Sequence, residues 1–206
     1  PEEMVNIVKR RYLAKGDKYT EIESKLSIDK LKYLFNGALF SDTEDGKITM
    51  PNMVGSYPFY PFQLAYMKEM LKNESKGSAR NMMKTNKSIV KRPEVYNQEI
   101  GYFVGIDLIY EELKSKRSIE DEFSDLILSL EATPVMDEKQ NPILDKHGLL
   151  TVLKSVVLLS QVKAEGVKDG MILPSVYSED RFPNREALLD VLDILVVGGG
   201  GREHAI

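Results

Sequence analysis

Apolar side chains recur at helical spacing along most of the chain, and few segments alternate as strands do. We therefore predict a mainly α protein, with helix in roughly half of the residues, above the usual third. Residues 1–133 are expected to form a helical bundle. The predicted inward positions are Met4, Val5 and Val8; Leu31, Leu34 and Phe35; Leu64, Met67 and Leu71; Met82, Met83, Ile89 and Val90; Phe103, Ile106, Ile109, Tyr110 and Leu113; and Ile119, Phe123, Leu126, Ile127 and Leu130.

Polar and proline-containing segments separate these runs. Residues 41–56 contain Asp45-Gly46 and are predicted to form a loop or a small hairpin. Pro93 is expected to break the chain, and Pro134 is expected to stop the last helix of the bundle. Residues 134–147 then form a connector to a second, smaller domain over residues 148–206.

The pattern in this last third predicts a winged-helix-like domain. One helix carries Leu149, Leu153 and Val157, a short one spans residues 174–180, and a third begins after Asn184. Residues 194–197 and 202–206 are predicted strands of a hairpin wing around the glycines. The third helix offers Glu186, Asp190 and Asp193 against Arg185, so its face should repel duplex DNA and favour a structural or protein-binding role.

Residues 57–63 and 76–81 carry the most specific pattern in the first half. Pro61 suits the first position of a helix, Gly77 can end that helix, and Ser78 can N-cap the next. That next helix presents a basic stripe at spacings of four, three and four residues: Arg80, Lys84, Lys87 and Lys91. An arginine in the first turn of a helix can bind an anion, because free N–H groups and the helix dipole add to its charge.

This arrangement, over roughly residues 1–163, resembles the lid of AAA-type P-loop ATPases, where Gly-x-x-Arg opens a helix whose arginine reaches ATP. The Tyr-Pro-Phe-x-Pro lead-in resembles the large ATPases of BREX phage-exclusion systems. The resemblance implies that Arg80 contacts ATP in an Mg²⁺-dependent parent ATPase acting in anti-phage defence, with Lys84 as a weaker contact and Gly77 and Ser78 at the nucleotide. The alternative is an ordinary helical hairpin with a solvated lysine face.

Composition narrows the function classes. The 206 residues include no cysteine, which excludes disulfides, thiolate zinc sites and cysteine nucleophiles, and we expect a cytoplasmic protein without a membrane span. No Gly-x-x-x-x-Gly-Lys-Ser/Thr motif is present, so we expect no ATP hydrolysis by the chain alone. The carboxylates Glu111 and Glu112 are predicted to lie on solvated helix faces. His147 and His204 lack metal-ligand spacing.

Charge is unevenly distributed along the chain. Residues 1–92 hold 17 Lys/Arg and 11 Asp/Glu, whereas residues 93–206 hold 11 and 21. The basic half suggests a second function class, a non-catalytic adaptor that binds nucleic acid or an acidic protein. We expect the chain to be part of a longer protein, since it starts at Pro1 and stops abruptly at Ile206. Its expected partners are the rest of that ATPase and further copies of itself.

The last 14 residues carry a separate pattern, an apolar strand-like run followed by Gly198-Gly199-Gly200-Gly201-Arg202-Glu203-His204. It resembles the N-terminal glycine loop of phosphoribosylamine–glycine ligase, an ATP-grasp enzyme of purine biosynthesis. The resemblance implies a phosphate loop at Gly199, Gly200, Gly201, Arg202 and His204. Because a phosphate loop needs a following helix and only five residues remain, we predict a glycine turn instead.

Overall fold

The computed structural model describes residues 3–11, 13–72, 79–116, 124–132, 146–163, 166–178 and 181–198. Within these ranges the chain forms twelve α-helices and no strand, apart from an isolated bridge between Ser178 and Phe182. The mainly α class predicted from the pattern is therefore confirmed.

The helices follow one another with short connections. Their bounds are α1 Glu3–Arg11, α2 Tyr19–Lys25, α3 Ile28–Leu34, α4 Met50–Ser56, α5 Pro61–Lys72, α6 Ala79–Val90, α7 Pro93–Tyr96, α8 Ile106–Ser115, α9 Ser124–Ala132, α10 Lys146–Ser160, α11 Asp169–Val176 and α12 Arg185–Gly198, with a 3₁₀ turn at Gly16–Lys18 before α2. Helix α5 begins at Pro61 and α12 follows Asn184, as predicted. The Asn184 side chain accepts a hydrogen bond of 3.0 Å from the N–H of Ala187 and caps α12.

Helices α1, α4, α5 and α6 form the first packed group, in which α1 lies against each of the other three. Val5 and Val8 of α1 are completely buried, as are Leu64 and Tyr66 of α5 and Met82 of α6. Apolar positions spaced three and four residues apart thus face one another across the group. Helix α6 also contacts α8, which connects this group to the rest of the core.

Helix α10 is central to the remaining helices and packs against α8, α9, α11 and α12. Its mostly buried Lys154 forms ion pairs with Glu111 of α8 at 2.6 Å and Glu131 of α9 at 3.2 Å. One hydrophobic cluster runs from Val5 to Leu188 and includes residues from α1 and α12. The predicted connector at 134–147 lies almost entirely outside the described residues, so the division into two domains stays a prediction.

Two bounds in the first half differ from the sequence prediction. Residues 50–56 of the predicted loop form helix α4, because Thr49 caps it and Pro51 lies in its first turn. Phe103 is not part of the long helix, which begins only at Ile106 after the N-cap residue Gly105. The N–H of Val104 is already bonded to the carbonyl oxygen of Pro58 at 2.9 Å.

The strand predicted at residues 194–197 is wrong, because α12 continues through this segment to Gly198. Leu188, Val191 and Leu192 share a helical period with Leu195, so the β-branched residues continue a helix already formed. The predicted short helix at 174–180 instead spans Asp169–Val176, with Pro174 inside it. The second wing strand lies outside the described residues, and the winged-helix domain is not confirmed.

None of the helices in the described ranges combines the length and the apolar run needed to cross a lipid bilayer.

Candidate functional site

The basic stripe predicted from the sequence is present on one face of α6. Arg80, Lys84 and Lys87 are exposed on the helix, and Lys91 is exposed just after its last residue. The N–H of Lys91 still bonds to the carbonyl oxygen of Lys87 at 3.2 Å, so the helical register continues. At 3.6 residues per turn the four side chains fall within an arc of about 60° and a length of about 16 Å.

The four cations of this stripe form no ion pair or hydrogen bond with any other residue in the described part of the chain. Other lysines of the same half do have partners: Lys47 pairs with Glu44, and Lys68 pairs with Asp45. Among the described residues the stripe is therefore an uncompensated positive surface, and its charges face outward, where an anion can bind.

The start of α6 strengthens this positive surface. The helix begins at Ala79, so Arg80 occupies its second position, and its first turn contains no acidic residue. The helix dipole destabilises a cation in the first turn. A bound anion, by contrast, would be stabilised both by the dipole and by the charge of that cation. Gly77 and Ser78, which complete the predicted nucleotide site, lie outside the described residues.

The flank of α6 next to the stripe is fixed by a buried carboxylate. Glu112 of α8 accepts hydrogen bonds from Ser88 at 2.9 Å and Arg92 at 3.3 Å, and pairs with Lys116 at 2.6 Å. We call these four residues the Glu112 node. The prediction that Glu112 lies on a solvated face is wrong, because its side chain is 5% exposed. A carboxylate so enclosed requires charged and polar partners.

The node also determines the ionisation of Glu112. Burial raises its pKa, but the hydrogen bonds from Lys116 and Ser88 and the charge of Lys116 outweigh burial, so the net pKa is lowered. The carboxylate thus remains charged and holds Ser88 and Arg92 of the α6–α7 region against α8. This contact fixes the rotation of α6 and hence the direction in which the basic stripe faces.

The start of α5 is held by a clamp built on Gln63. Its Oε1 accepts a hydrogen bond of 2.9 Å from the N–H of Tyr60, and its Nε2 donates one of 2.9 Å to the carbonyl oxygen of Val104. The first of these bonds is half of a capping box, with Gln63 as the third residue of α5. Together with the bond from Val104 to Pro58, the Gln63 clamp joins the start of α5 to the segment before α8.

The aromatic residues of the motif pack inside the protein. Tyr60 stacks on Phe103 at 4.2 Å between ring centroids and on Phe62 at 5.4 Å, and Phe35 meets both Tyr60 and Phe62 edge to face. The Tyr57–Pro58 peptide bond is cis. These aromatic rings therefore pack against one another inside the protein and support the position of α5.

Lys15 reaches this motif from the segment before α2. Its amine donates hydrogen bonds to the carbonyl oxygens of Leu13 and Tyr57, the latter at 2.6 Å, and lies 5.9 Å from the centre of the Tyr57 ring. Burial lowers the pKa of Lys15 from 10.5 to about 8. Lys15 thus connects the segment before α2 to Tyr57, just ahead of the clamp residues.

The glycine tail contributes nothing to the described site. Gly199, Gly200, Gly201, Arg202 and His204 all lie outside the described residues, so both the phosphate loop and the glycine turn stay predictions.

Sequence reasoning missed Glu112 and Gln63. Gln63 did carry a signal, since glutamine three residues after a helix N-cap is typical of a capping box. Glu112 carried none: Glu111 and Glu112 are adjacent, and only the packing of α6 on α8 distinguishes the buried carboxylate from its exposed neighbour.

Comparison of this chain with protein-family models, with curated proteins and with solved structures finds no match.

Proposed function

We propose that the chain is the helical lid of a cytoplasmic AAA-type or STAND-like ATPase acting in anti-phage defence, in which Arg80 contacts the phosphates of ATP. The observation that carries this proposal is the cationic face of α6, which has no partner in the described part of the chain and begins at the second residue of the helix. An arginine at this point adds its fork of donors to the free N–H groups of the first turn. Lys84, one turn further on, is the weaker second contact.

In this proposal the chain supplies the lid and the parent protein supplies the catalytic parts. The sequence has no phosphate-cradling lysine loop, and the Mg²⁺ ligands must come from elsewhere in the intact ATPase. A winged helix would place a strand at residues 194–197, where the chain is helical. The C-terminal part therefore enters the proposal as a helical subdomain that follows the lid.

The test is Arg80→Ala in the intact parent ATPase, with Arg185→Ala as the matched control. Arg185 is also an exposed arginine near a helix start, but it pairs with Asp169 and lies on α12. We expect Arg80→Ala to reduce ATP turnover by about two orders of magnitude or more, in line with the loss of a charged phosphate contact. The control should turn over ATP normally. Unchanged turnover in Arg80→Ala would rule the lid assignment out.

A second candidate is an adaptor that binds nucleic acid through the same stripe. The observation that favours the adaptor is the length of the stripe. It continues for about three helical turns to Lys91, further than contact with one nucleotide requires. If all four cations contact phosphates of a duplex, log K should fall with log salt with a slope of about −3.6.

One pair of variants separates the two functions. The triple variant Lys84→Glu, Lys87→Glu, Lys91→Glu should abolish DNA binding if the chain is an adaptor. If the chain is the lid, Arg80→Ala should reduce ATP turnover more than the triple variant does. Charge reversal at Lys87 and Lys91 should then have little effect on ATP turnover. Absence of DNA binding at low salt would remove the adaptor.

A further inference from the structure

The outer face of α12 carries three carboxylates that the proposed function does not use. Glu186, Asp190 and Asp193 are exposed, and their spacing of four and three residues places them within an arc of about 60° on the helix. Their carboxylates form no ion pair or hydrogen bond with another residue in the described part of the chain. Arg185, the one cation in the sequence of α12, pairs with Asp169 instead. We call the three carboxylates the acidic stripe.

The acidic stripe has the spacing that is needed to pair with the basic stripe of α6. Read backwards from Asp193, its charges follow at three and then four residues, and the last three cations of the basic stripe follow at the same two spacings in the forward direction. Each set of three spans about 10 Å along its helix. Two such helices laid antiparallel therefore bring three pairs of opposite charges face to face. The facing pairs are Lys84 with Asp193, Lys87 with Asp190 and Lys91 with Glu186.

Within the described part of one chain, the two stripes are not paired with each other. Helix α6 packs against α1, α5, α7 and α8, whereas α12 packs against α10 and α11, so the stripes belong to different parts of the helical core. A nucleic acid could neutralise the basic stripe but would be repelled by the acidic one. A second copy of the chain neutralises both, because it presents each stripe with the spacing that the other requires.

The antiparallel arrangement is favoured over the parallel one. A parallel pair also aligns three charges, but it uses Arg80 and leaves out Lys91. In the antiparallel pair the two helix dipoles oppose each other, and the positive end of α6 lies toward the negative end of α12. Arg80 then remains free for the phosphate contact proposed above.

We infer that α6 of one copy packs antiparallel against α12 of a second copy through the facing charges of the two stripes. Because exposed ion pairs contribute little each, the association is weak and is screened by salt. The contact joins two different surfaces, so it can repeat from copy to copy. The inference goes beyond the proposed function and needs no nucleotide, so either can fail without the other.

The first experiment measures the mass of the 206-residue chain by sedimentation at increasing protein concentration, without nucleotide. At about 0.01 M salt, where the Debye length is about 30 Å, we expect the average mass to rise with concentration. At about 1 M salt, where the Debye length is about 3 Å, we expect a monomer. A monomer at every concentration in low salt overturns the inference, and it is the result expected if the basic stripe serves nucleic acid alone. Association of equal strength at both salt concentrations overturns it as well.

A charge swap tests the facing pair of Lys87 and Asp190. Lys87→Glu and Asp190→Lys should each weaken self-association at low salt by at least about threefold, because each places like charges opposite each other. The double variant restores opposite charges and should associate as the wild type does. Its matched control, Lys87→Glu with Asp125→Lys, has the same net charge, but Asp125 lies exposed on α9. Failure of the double variant to regain association, or equal recovery in the control, overturns the inference.

A second comparison tests the antiparallel direction. Lys91→Glu and Arg80→Glu change the net charge equally, but only Lys91 lies within the antiparallel contact. Lys91→Glu should weaken self-association by at least about threefold, and Arg80→Glu should leave it nearly unchanged. An effect of Arg80→Glu as large as that of Lys91→Glu overturns the inference. All of these variants change exposed side chains, and far-UV circular dichroism checks that each remains folded.

Discussion

At the scale of single residues, the charge of Glu112 is expected to contribute to stability. Glu112→Gln keeps the shape of the side chain but removes the charge that Lys116 and Arg92 surround. Because both partners are partly exposed, we expect a loss of about 2 kcal/mol in the free energy of unfolding at neutral pH. Glu94→Gln is the control, since Glu94 is half exposed and 4.0 Å from Arg92. Its effect should stay within about 0.5 kcal/mol, and chemical denaturation measures both.

The same carboxylate gives the protein an acid-sensitive contribution to stability. The folded state lowers the pKa of Glu112 below its ordinary 4.5, so the folded protein binds fewer protons there than the unfolded chain. The stabilisation is complete above that value and is lost as pH falls through the folded pKa. The stability difference between wild type and Glu112→Gln should therefore shrink below pH 4.5. A difference that is constant with pH would show that the charge does not contribute.

Lys15 produces a response of the same sign at alkaline pH. Burial lowers its pKa from 10.5 to about 8, so between these values the folded protein holds fewer protons than the unfolded chain. The stability of the wild type relative to Lys15→Met should therefore rise across this interval. Denaturation curves of the two proteins at several alkaline pH values provide the measurement. A relative stability that falls with pH would mean that Lys15 remains charged in the folded state.

At the scale of elements, the approach of the turn after α3 to helix α11 depends on a glycine. A Cβ added at Gly37 would lie 2.6 Å from the backbone oxygen of Gly170, whereas one added at Gly170 would meet nothing within 4 Å. Gly37→Ala should lower the melting temperature and cost about 1–3 kcal/mol, because backbone must move. Gly170→Ala, within α11, should be neutral or stabilising by up to about 1 kcal/mol. Similar stabilities for the two variants would show that the turn and α11 separate easily.

Helix positions were predictable wherever apolar periodicity and a cap agreed. Pro61 correctly began α5, and Asn184 correctly capped α12. The sequence misled at residues 194–197, where four β-branched or apolar residues suit a strand but continue a helical period already under way. Residues 50–56 were assigned to a loop because the small size and polarity of several residues hid the cap at Thr49.

The candidate site was predictable only in its local part. The basic stripe follows from spacing along one helix, so its exposed face needed no tertiary information. The Glu112 node joins side chains from different helices. No pattern along one segment specifies such a meeting, because it depends on how α6 and α8 pack.

At the scale of the whole molecule, a substitution in α10 tests whether the core unfolds as one cooperative unit. Leu158 is completely buried on this helix, which contacts α8 on one side and α11 and α12 on others. Leu158→Ala should cost about 3 kcal/mol, as cavity-forming substitutions do. It should shift a single unfolding transition seen equally by far-UV and near-UV circular dichroism.

Leu128→Ala is the control for this experiment, because Leu128 is 55% exposed on the neighbouring helix α9. It should leave the transition nearly unchanged. Two separate transitions in the wild type, only one of which moves in Leu158→Ala, would instead support the two-domain division predicted from the sequence.

The Gln63 clamp also has a mechanical consequence. Gln63 and Val104 are 41 residues apart and enclose α6 in a closed loop. The Glu112 node anchors the far end of α6 to α8, which itself begins just after the clamp. A pulling force on the basic stripe is therefore resisted at the far end of α6 by the Glu112 node, which passes it to α8. Because α8 packs against α10, the load then reaches α10.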